Sequence, residues 1–119
     1  MSLNPESLPP SGLKLQVSKH DGETVVTCSG RLTLGAAANF KSHVKELIRE
    51  SQRVVVDLSG VEYMDSSGLG AMVGVYVSAK SARCELQVIN FNKQMRHLFG
   101  LTNLLSLFEP CGQHNVRMP

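Results

Sequence analysis

Residues 54–74 read VVVDLSGVEYMDSSGLGAMVG and join a valine run to a glycine-rich segment. The valine run is too short for a helix and predicts a strand over residues 53–58, buried on both faces of a sheet. Asp65 and Ser66 are both good helix caps, because their side-chain oxygens accept hydrogen bonds from the free amides of a first turn. The stretch therefore predicts a central strand, a loop, and a helix over residues 66–81.

The segment before this stretch predicts a β-hairpin followed by an amphipathic helix. Alternating apolar residues occupy 13–17, Asp21-Gly22 offers a positive-φ turn, and a valine-rich run covers 23–29. Residues 35–51 then show the 3.6-residue apolar spacing of a surface helix. The apolar positions of that helix are Ala37, Phe40, Val44, Leu47 and Ile48.

The segment after the stretch predicts one more strand and one more helix. Residues 85–89 form a short apolar strand, and the order strand, helix, strand predicts a parallel pair. A third helix over residues 92–99 is expected to stop at Gly100, because glycine favours helix ends. A short buried segment, such as an edge strand, is expected at Leu104, Leu105, Leu107 and Phe108.

Three glycines interrupt the predicted second helix, at Gly68, Gly70 and Gly74. Each costs about 1 kcal/mol relative to alanine in a helix interior. Since a missing Cβ lets two backbones approach closely, we expect this helix to pack tightly against the sheet or a partner.

Length and composition favour one globular domain. The chain has 119 residues, 42% of them apolar, which suits a single hydrophobic core. We expect a flexible N-terminal arm over residues 1–11, a domain over 12–110 and a C-terminal tail over 111–119. The net charge of +2 is dispersed, so no nucleic-acid surface is expected. Neither a membrane span nor a signal peptide is visible, which favours the cytoplasm.

The cysteines and histidines lack the spacing of a metal or redox motif. Cys28, Cys84 and Cys111 are far apart, and we expect reduced thiols, buried at the first two positions. The four histidines show no ligand spacing either. We therefore expect neither a metal nor a cofactor.

Two enzyme hypotheses fit the sequence poorly. In a dinucleotide fingerprint the third glycine would come one place before Gly74, and no acidic residue ends the following strand. A serine hydrolase would have glycines flanking its nucleophile, whereas Ser66 and Ser67 follow Met64 and Asp65. No catalytic residue is predicted.

Two interpretations of Ser66 remain open from the residues alone. It is either part of a simple helix cap or a hydroxyl that becomes phosphorylated on an exposed first turn. A phosphate there lies where the helix dipole and free amides favour negative charge, although Asp65 would repel it. Such a dianion would more readily disrupt a partner contact than create an internal one.

The stretch from Val54 to Gly74 resembles the signature of the STAS domain, and in particular that of stand-alone bacterial anti-sigma factor antagonists. The similarity rests on the valine strand and on Asp65-Ser66-Ser67-Gly68-Leu69-Gly70. It implies an α/β fold with a mostly parallel, four- to five-stranded sheet, an N-terminal hairpin and three to four helices.

The resemblance also implies a phosphorylation-controlled partner switch. An anti-sigma factor that is a serine kinase would phosphorylate Ser66, and a metal-dependent serine phosphatase would reverse the reaction. Residues 65–70 would contact the partner, and the unphosphorylated form would bind the kinase and release the sigma factor. The alternative within the family is a STAS subunit of a transporter or signalling assembly that needs no phosphorylation.

Overall fold

A computed structural model describes residues 12–101 and 115–117 of the chain. They form a five-stranded sheet, with strands in chain order, and three α-helices. The strands are β1 (Leu13–His20), β2 (Glu23–Leu32), β3 (Arg53–Met64), β4 (Glu85–Ile89) and β5 (Asn115–Arg117), and the helices are α1 (Leu34–Glu50), α2 (Ser66–Ala82) and α3 (Lys93–Leu101).

The pairing of the strands confirms the predicted α/β fold. Strands β2, β3 and β4 are parallel, whereas β1 pairs with β2 and β5 pairs with β4 in the antiparallel sense. The hairpin turn has positive φ at Asp21 (49°) and Gly22 (83°), as the Asp-Gly pair predicts. Strand β5 falls in the expected C-terminal tail and was not predicted as an element.

Strand β3 lies at the centre of the sheet and is buried on both faces. Val54 and Val56 are 0% exposed and Val55 is 7% exposed, which confirms the prediction from the valine run. Helices α1 and α2 pack against each other and against the sheet. The core between these helices and the sheet is filled by aliphatic and aromatic side chains, including Phe40, Val44, Leu58, Met72 and Leu86.

The expected loop after Leu58 is instead a continuation of β3 to Met64. The register of β2 against β3 shifts at this point, so that Thr27 pairs with Asp57 but Ser29 pairs with Gly60. A Cβ on Gly60 would lie 2.7 Å from the Cys28 carbonyl oxygen. Only glycine at position 60 lets β3 lie this close to β2 where the register shifts. The alternation of apolar residues in the sequence does not predict this close approach.

Helix α3 continues past the predicted stop, because Gly100 lies inside it and the helix runs to Leu101. A Cβ at Gly100 would have no heavy atom within 4 Å, so this glycine meets no packing requirement and the helix tolerates it. The predicted segment at Leu104–Phe108 lies outside the described residues, as does the predicted arm over 1–11. The limits of the domain at 12 and 110 therefore stay predictions.

Candidate phosphorylation and docking site at the start of α2

Asp65, and not Ser66, is the N-cap of α2. Its backbone is extended (φ −106°), and its Oδ1 accepts a hydrogen bond of 3.0 Å from the Gly68 amide. Ser66 is consequently the first residue of the helix. Its hydroxyl makes none of the capping bonds described, so removing or modifying it leaves the cap in place.

The same carboxylate also holds the start of α1. Thr33, the N-cap residue of α1, makes no side-chain capping bond. Asp65 Oδ2 instead accepts a hydrogen bond of 3.2 Å from the Leu34 amide, the first amide of that helix. One side chain therefore satisfies an orphan donor of each helix and joins the two N-termini.

The backbone of Asp65 is held as well. Its amide donates to the Leu32 carbonyl oxygen at 3.3 Å, which extends the pairing of β2 and β3 by one step. The backbone amide and the side-chain carboxylate of Asp65 are thus both hydrogen-bonded to the segment that joins β2 to α1. Ser66 therefore follows a residue whose position is fixed, at the carboxyl end of the central strand β3.

The predicted contact residues 65–70 divide into surface and supporting positions. Ser66 and Gly70 are exposed, and Asp65 and Ser67 are half-buried. Gly68 and Leu69 are buried, Leu69 at 5% exposure. Of the two serines, Ser66 therefore has the more accessible hydroxyl. The buried Gly68 and Leu69 support this surface from beneath.

Two exposed apolar side chains belong to residues close to Asp65, since the Leu34 amide donates to the Asp65 carboxylate and Tyr63 precedes Asp65 by two positions. Leu34 is 76% exposed, and Tyr63 is 43% exposed with the Arg31 guanidinium 6.0 Å from its ring centre. Leu34 lies out of phase with the buried stripe of α1, and this mismatch was the signal that could have identified it.

The three glycines of α2 have different environments. A Cβ on Gly68 would clash with the Leu32 carbonyl oxygen, so the predicted close approach is confirmed there. A Cβ on Gly74 would meet the flexible end of Lys41, with Cε at 2.7 Å. At Gly70 the structure contradicts close packing against the sheet, because a Cβ there has no neighbour within 4 Å, and the close approach of a partner stays a prediction.

The cysteines play no part in this site. Cys28 and Cys84 are buried, as predicted, and are free thiols. Burial, with a smaller effect of Asp57, raises the pKa of Cys28 to about 12. Cys111 lies outside the described residues. Within residues 12–101, no three His, Cys, Asp or Glu side chains are grouped as metal ligands, and no helix is long and apolar enough to cross a membrane.

Comparison with known proteins identifies the family. The STAS domain profile matches residues 14–116, which is most of the chain. The chain belongs to the STAS domain family. The resemblance of the Asp65-Ser66 stretch to that family is thereby confirmed, and so is the fold that it implies.

Relatives and solved structures indicate which members of the STAS family this chain resembles. The anti-sigma F factor antagonist of Paenibacillus polymyxa is 27% identical over 97 residues, covering 80% of this chain and 83% of that protein. A crystal structure of an anti-sigma factor antagonist from Mycobacterium paratuberculosis superposes with a TM-score of 0.72 at 26% identity, over 84% of this chain and 86% of that one.

A third protein shares the fold alone. The phosphorylated form of the Bacillus cell fate determinant SpoIIAA superposes with a TM-score of 0.63 at 19% identity, over 76% of this chain and 85% of that one. The first two names describe regulatory proteins and not enzymes, in agreement with the expectation that this STAS domain performs no catalysis.

Proposed function

We propose that this STAS domain is an anti-sigma factor antagonist that is switched by phosphorylation of Ser66. In the unphosphorylated form it binds an anti-sigma factor with serine kinase activity, so that the sigma factor is released. A metal-dependent serine phosphatase removes the phosphate and restores binding. All of these partners act in the bacterial cytoplasm. The names of the relatives support the antagonist role, and the geometry of Ser66 supports the switch.

The observation that carries the proposal is the exposed Ser66 on the first turn of α2, with the cap supplied by its neighbour Asp65. A kinase needs an accessible hydroxyl that the fold does not use. Transfer forms a bond between Ser66 Oγ and the γ-phosphorus of ATP, breaks the bond to ADP, and releases the hydroxyl proton. None of the described bonds that hold α2 is lost in this reaction.

The electrostatics explain how a phosphate would switch binding without unfolding the domain. The amides of the first turn and the helix dipole favour the dianion, whereas the Asp65 carboxylate repels it. In the free protein, water screens that repulsion. Against a bound partner both charges would be desolvated, and the expected loss of affinity is tenfold to several hundredfold.

The exposed Leu34, whose amide donates to Asp65, offers an apolar side chain that a protein partner would cover. Burying an apolar side chain contributes about 1.5–3 kcal/mol. The Leu34 amide donates to the Asp65 carboxylate at 3.2 Å, so the backbone of Leu34 is held next to the residue that precedes Ser66. A phosphate on Ser66 would then lie at the border of an apolar contact.

The proposal is tested by incubating the chain with ATP and the serine kinases of its source organism, and by mapping the modified residue by mass spectrometry. We expect labelling at Ser66, loss of labelling in Ser66→Ala, and normal labelling in the matched control Ser67→Ala. Undiminished labelling of Ser66→Ala by the kinase would refute the assignment. If no kinase labels the wild-type chain, the role as a STAS subunit without phosphorylation replaces the switch.

A further inference from the structure

The last residues of β3 extend beyond the end of β4, and the start of α3 lies against them. Strand β4 pairs with β3 only as far as Asp57 and Ile89, whereas β3 continues to Met64. Among residues 12–101 and 115–117, no strand pairs with the last residues of β3 on that side. Two side chains at the start of α3, Asn92 and Gln94, lie against them.

Gln94 pairs with Met64 as a strand residue would. The Met64 amide donates to Gln94 Oε1 at 3.1 Å, and Gln94 Nε2 donates to the Met64 carbonyl oxygen at 2.9 Å. A carboxamide is the one uncharged side-chain group that offers a donor and an acceptor in this arrangement. Asn92, by comparison, caps α3 through its Oδ1 and contacts the Val61 and Glu62 carbonyl oxygens less closely, at 3.3 and 3.4 Å.

Met64 directly precedes the cap of α2, so its position sets that of Asp65. The Met64 side chain is fully buried, and on the opposite edge the Asp65 amide donates to Leu32. The strand end is thus held by β2 on one side and by Gln94 on the other. The Asp65 carboxylate in turn accepts hydrogen bonds from the Gly68 amide in α2 and from the Leu34 amide in α1.

We propose that Gln94 is a positioning residue for Ser66: by pairing with both backbone groups of Met64 it fixes the strand end from which the phosphorylation site projects. The role of Gln94 in phosphorylation rests on the proposed function, whereas its effect on the position of Asp65 does not. Neither the sequence pattern nor the capping rules single out Gln94, because its role depends on the place where β4 stops.

Amide hydrogen exchange tests the geometric part without a kinase. The Leu34, Asp65 and Gly68 amides are protected by bonds that Asp65 makes, so their exchange reports its position. In Gln94→Met, which keeps the bulk and removes both bonds, we expect these three amides to exchange about tenfold faster. Gln94→Glu keeps the acceptor for the Met64 amide but places a second carboxylate oxygen against the Met64 carbonyl oxygen, so we expect an increase at least as large. The control Lys93→Met changes an exposed neighbour on α3 and should have no effect.

Two exchange results would overturn the inference. One is unchanged protection of the three amides in Gln94→Met. The other is an equal increase throughout the core, including the amides of Val54 and Val56, which would make Gln94 a general stabilising residue and not a positioning one.

Kinetics with the kinase that labels Ser66 test the consequence. In Gln94→Met we expect kcat to fall about tenfold with a smaller change in KM, because the docking surface remains while the hydroxyl is misplaced. Equal kinetics of Gln94→Met and the wild type would overturn the link to phosphorylation. If the wild-type chain is not labelled, the proposed function fails, and the exchange experiment still decides the role of Gln94.

Discussion

Helices α1 and α2 have the same length, 17 residues each, and pack side by side, but their solvent-facing sides differ. Helix α1 exposes charged side chains, including Lys41, Glu46 and Arg49. Helix α2 contains no charged residue between Ser66 and Ala79, although Gly70 and Val77 are exposed. The charged side of α1 is typical of a surface in water, whereas the exposed side of α2 carries no charge before Lys80.

The N-termini of α1 and α2 also differ in how they are capped. Helix α2 is capped by its own N-cap residue, whereas α1 borrows the carboxylate of Asp65 from the other helix. The start of α2 therefore anchors both helices. The end of α2 proposed as a switch therefore also holds the start of α1.

The largest effect is expected from adding bulk on the inner side of α2. In Gly68→Val the new side chain would clash with the Leu32 carbonyl oxygen, and we expect a loss of about 3 kcal/mol in the free energy of unfolding. The matched control is Gly70→Ala, where a Cβ meets nothing within 4 Å and helix propensity favours a gain of about 1 kcal/mol. Urea denaturation measures both, and equal stabilities of the two variants would contradict the assigned inner and outer sides.

A somewhat smaller effect, on affinity, is expected from a charge at the switch. Ser66→Asp places a carboxylate on the first turn of α2, where the dipole favours it by about 0.3–1 kcal/mol, so thermal melting should hardly change. Binding to the anti-sigma factor kinase should weaken at least tenfold, or by about 1.4 kcal/mol or more, because the charge must be buried beside Asp65. Calorimetric titration gives the affinity. Binding as tight as that of the wild type would reduce Ser66 to a structural residue.

The unequal caps predict unequal losses of stability. Asp65→Ala removes bonds to both helix starts and should lower the free energy of unfolding by about 2 kcal/mol, the upper end for a single cap. Thr33→Ala removes a side chain that makes no capping bond and should cost less than about 0.5 kcal/mol. Denaturation curves at neutral pH compare the two. A larger loss for Thr33→Ala would reverse the comparison between the helix starts.

The smallest effect is expected on the charged side of α1. A hydrogen bond from Lys19 and its charge lower the pKa of Glu50, and both side chains are more than half exposed. Since the folded pKa is the lower one, any contribution to stability exists above the ordinary glutamate pKa and is lost as the pH falls through the folded value. In Lys19→Met, NMR titration should show a rise in the Glu50 pKa, with thermal melting at pH 7 unchanged. A clear drop in melting temperature would show that this face is more than a solvated surface.

Local signals in the sequence were enough for most of the framework. The valine run predicted the buried β3, Asp21-Gly22 predicted the hairpin turn, and the stretch from Asp65 predicted where α2 begins. These features depend on neighbours along the chain, so propensity and periodicity identify them. The exposed Ser66 was likewise expected from its place on a first turn.

Tertiary structure alone decided which cap serves which helix and which glycine is required. Asp65 reaches Leu34, 31 positions earlier, and Gly68 lies under Leu32, because parallel pairing brings the end of β3 beside that of β2. Gln94 contacts Met64 only because β4 stops before β3 does. The sequence by itself determined most of the helices and strands and the family signature. Contacts between segments distant in the chain determined how Ser66 is held, since their partners follow from register and strand length and not from local pattern.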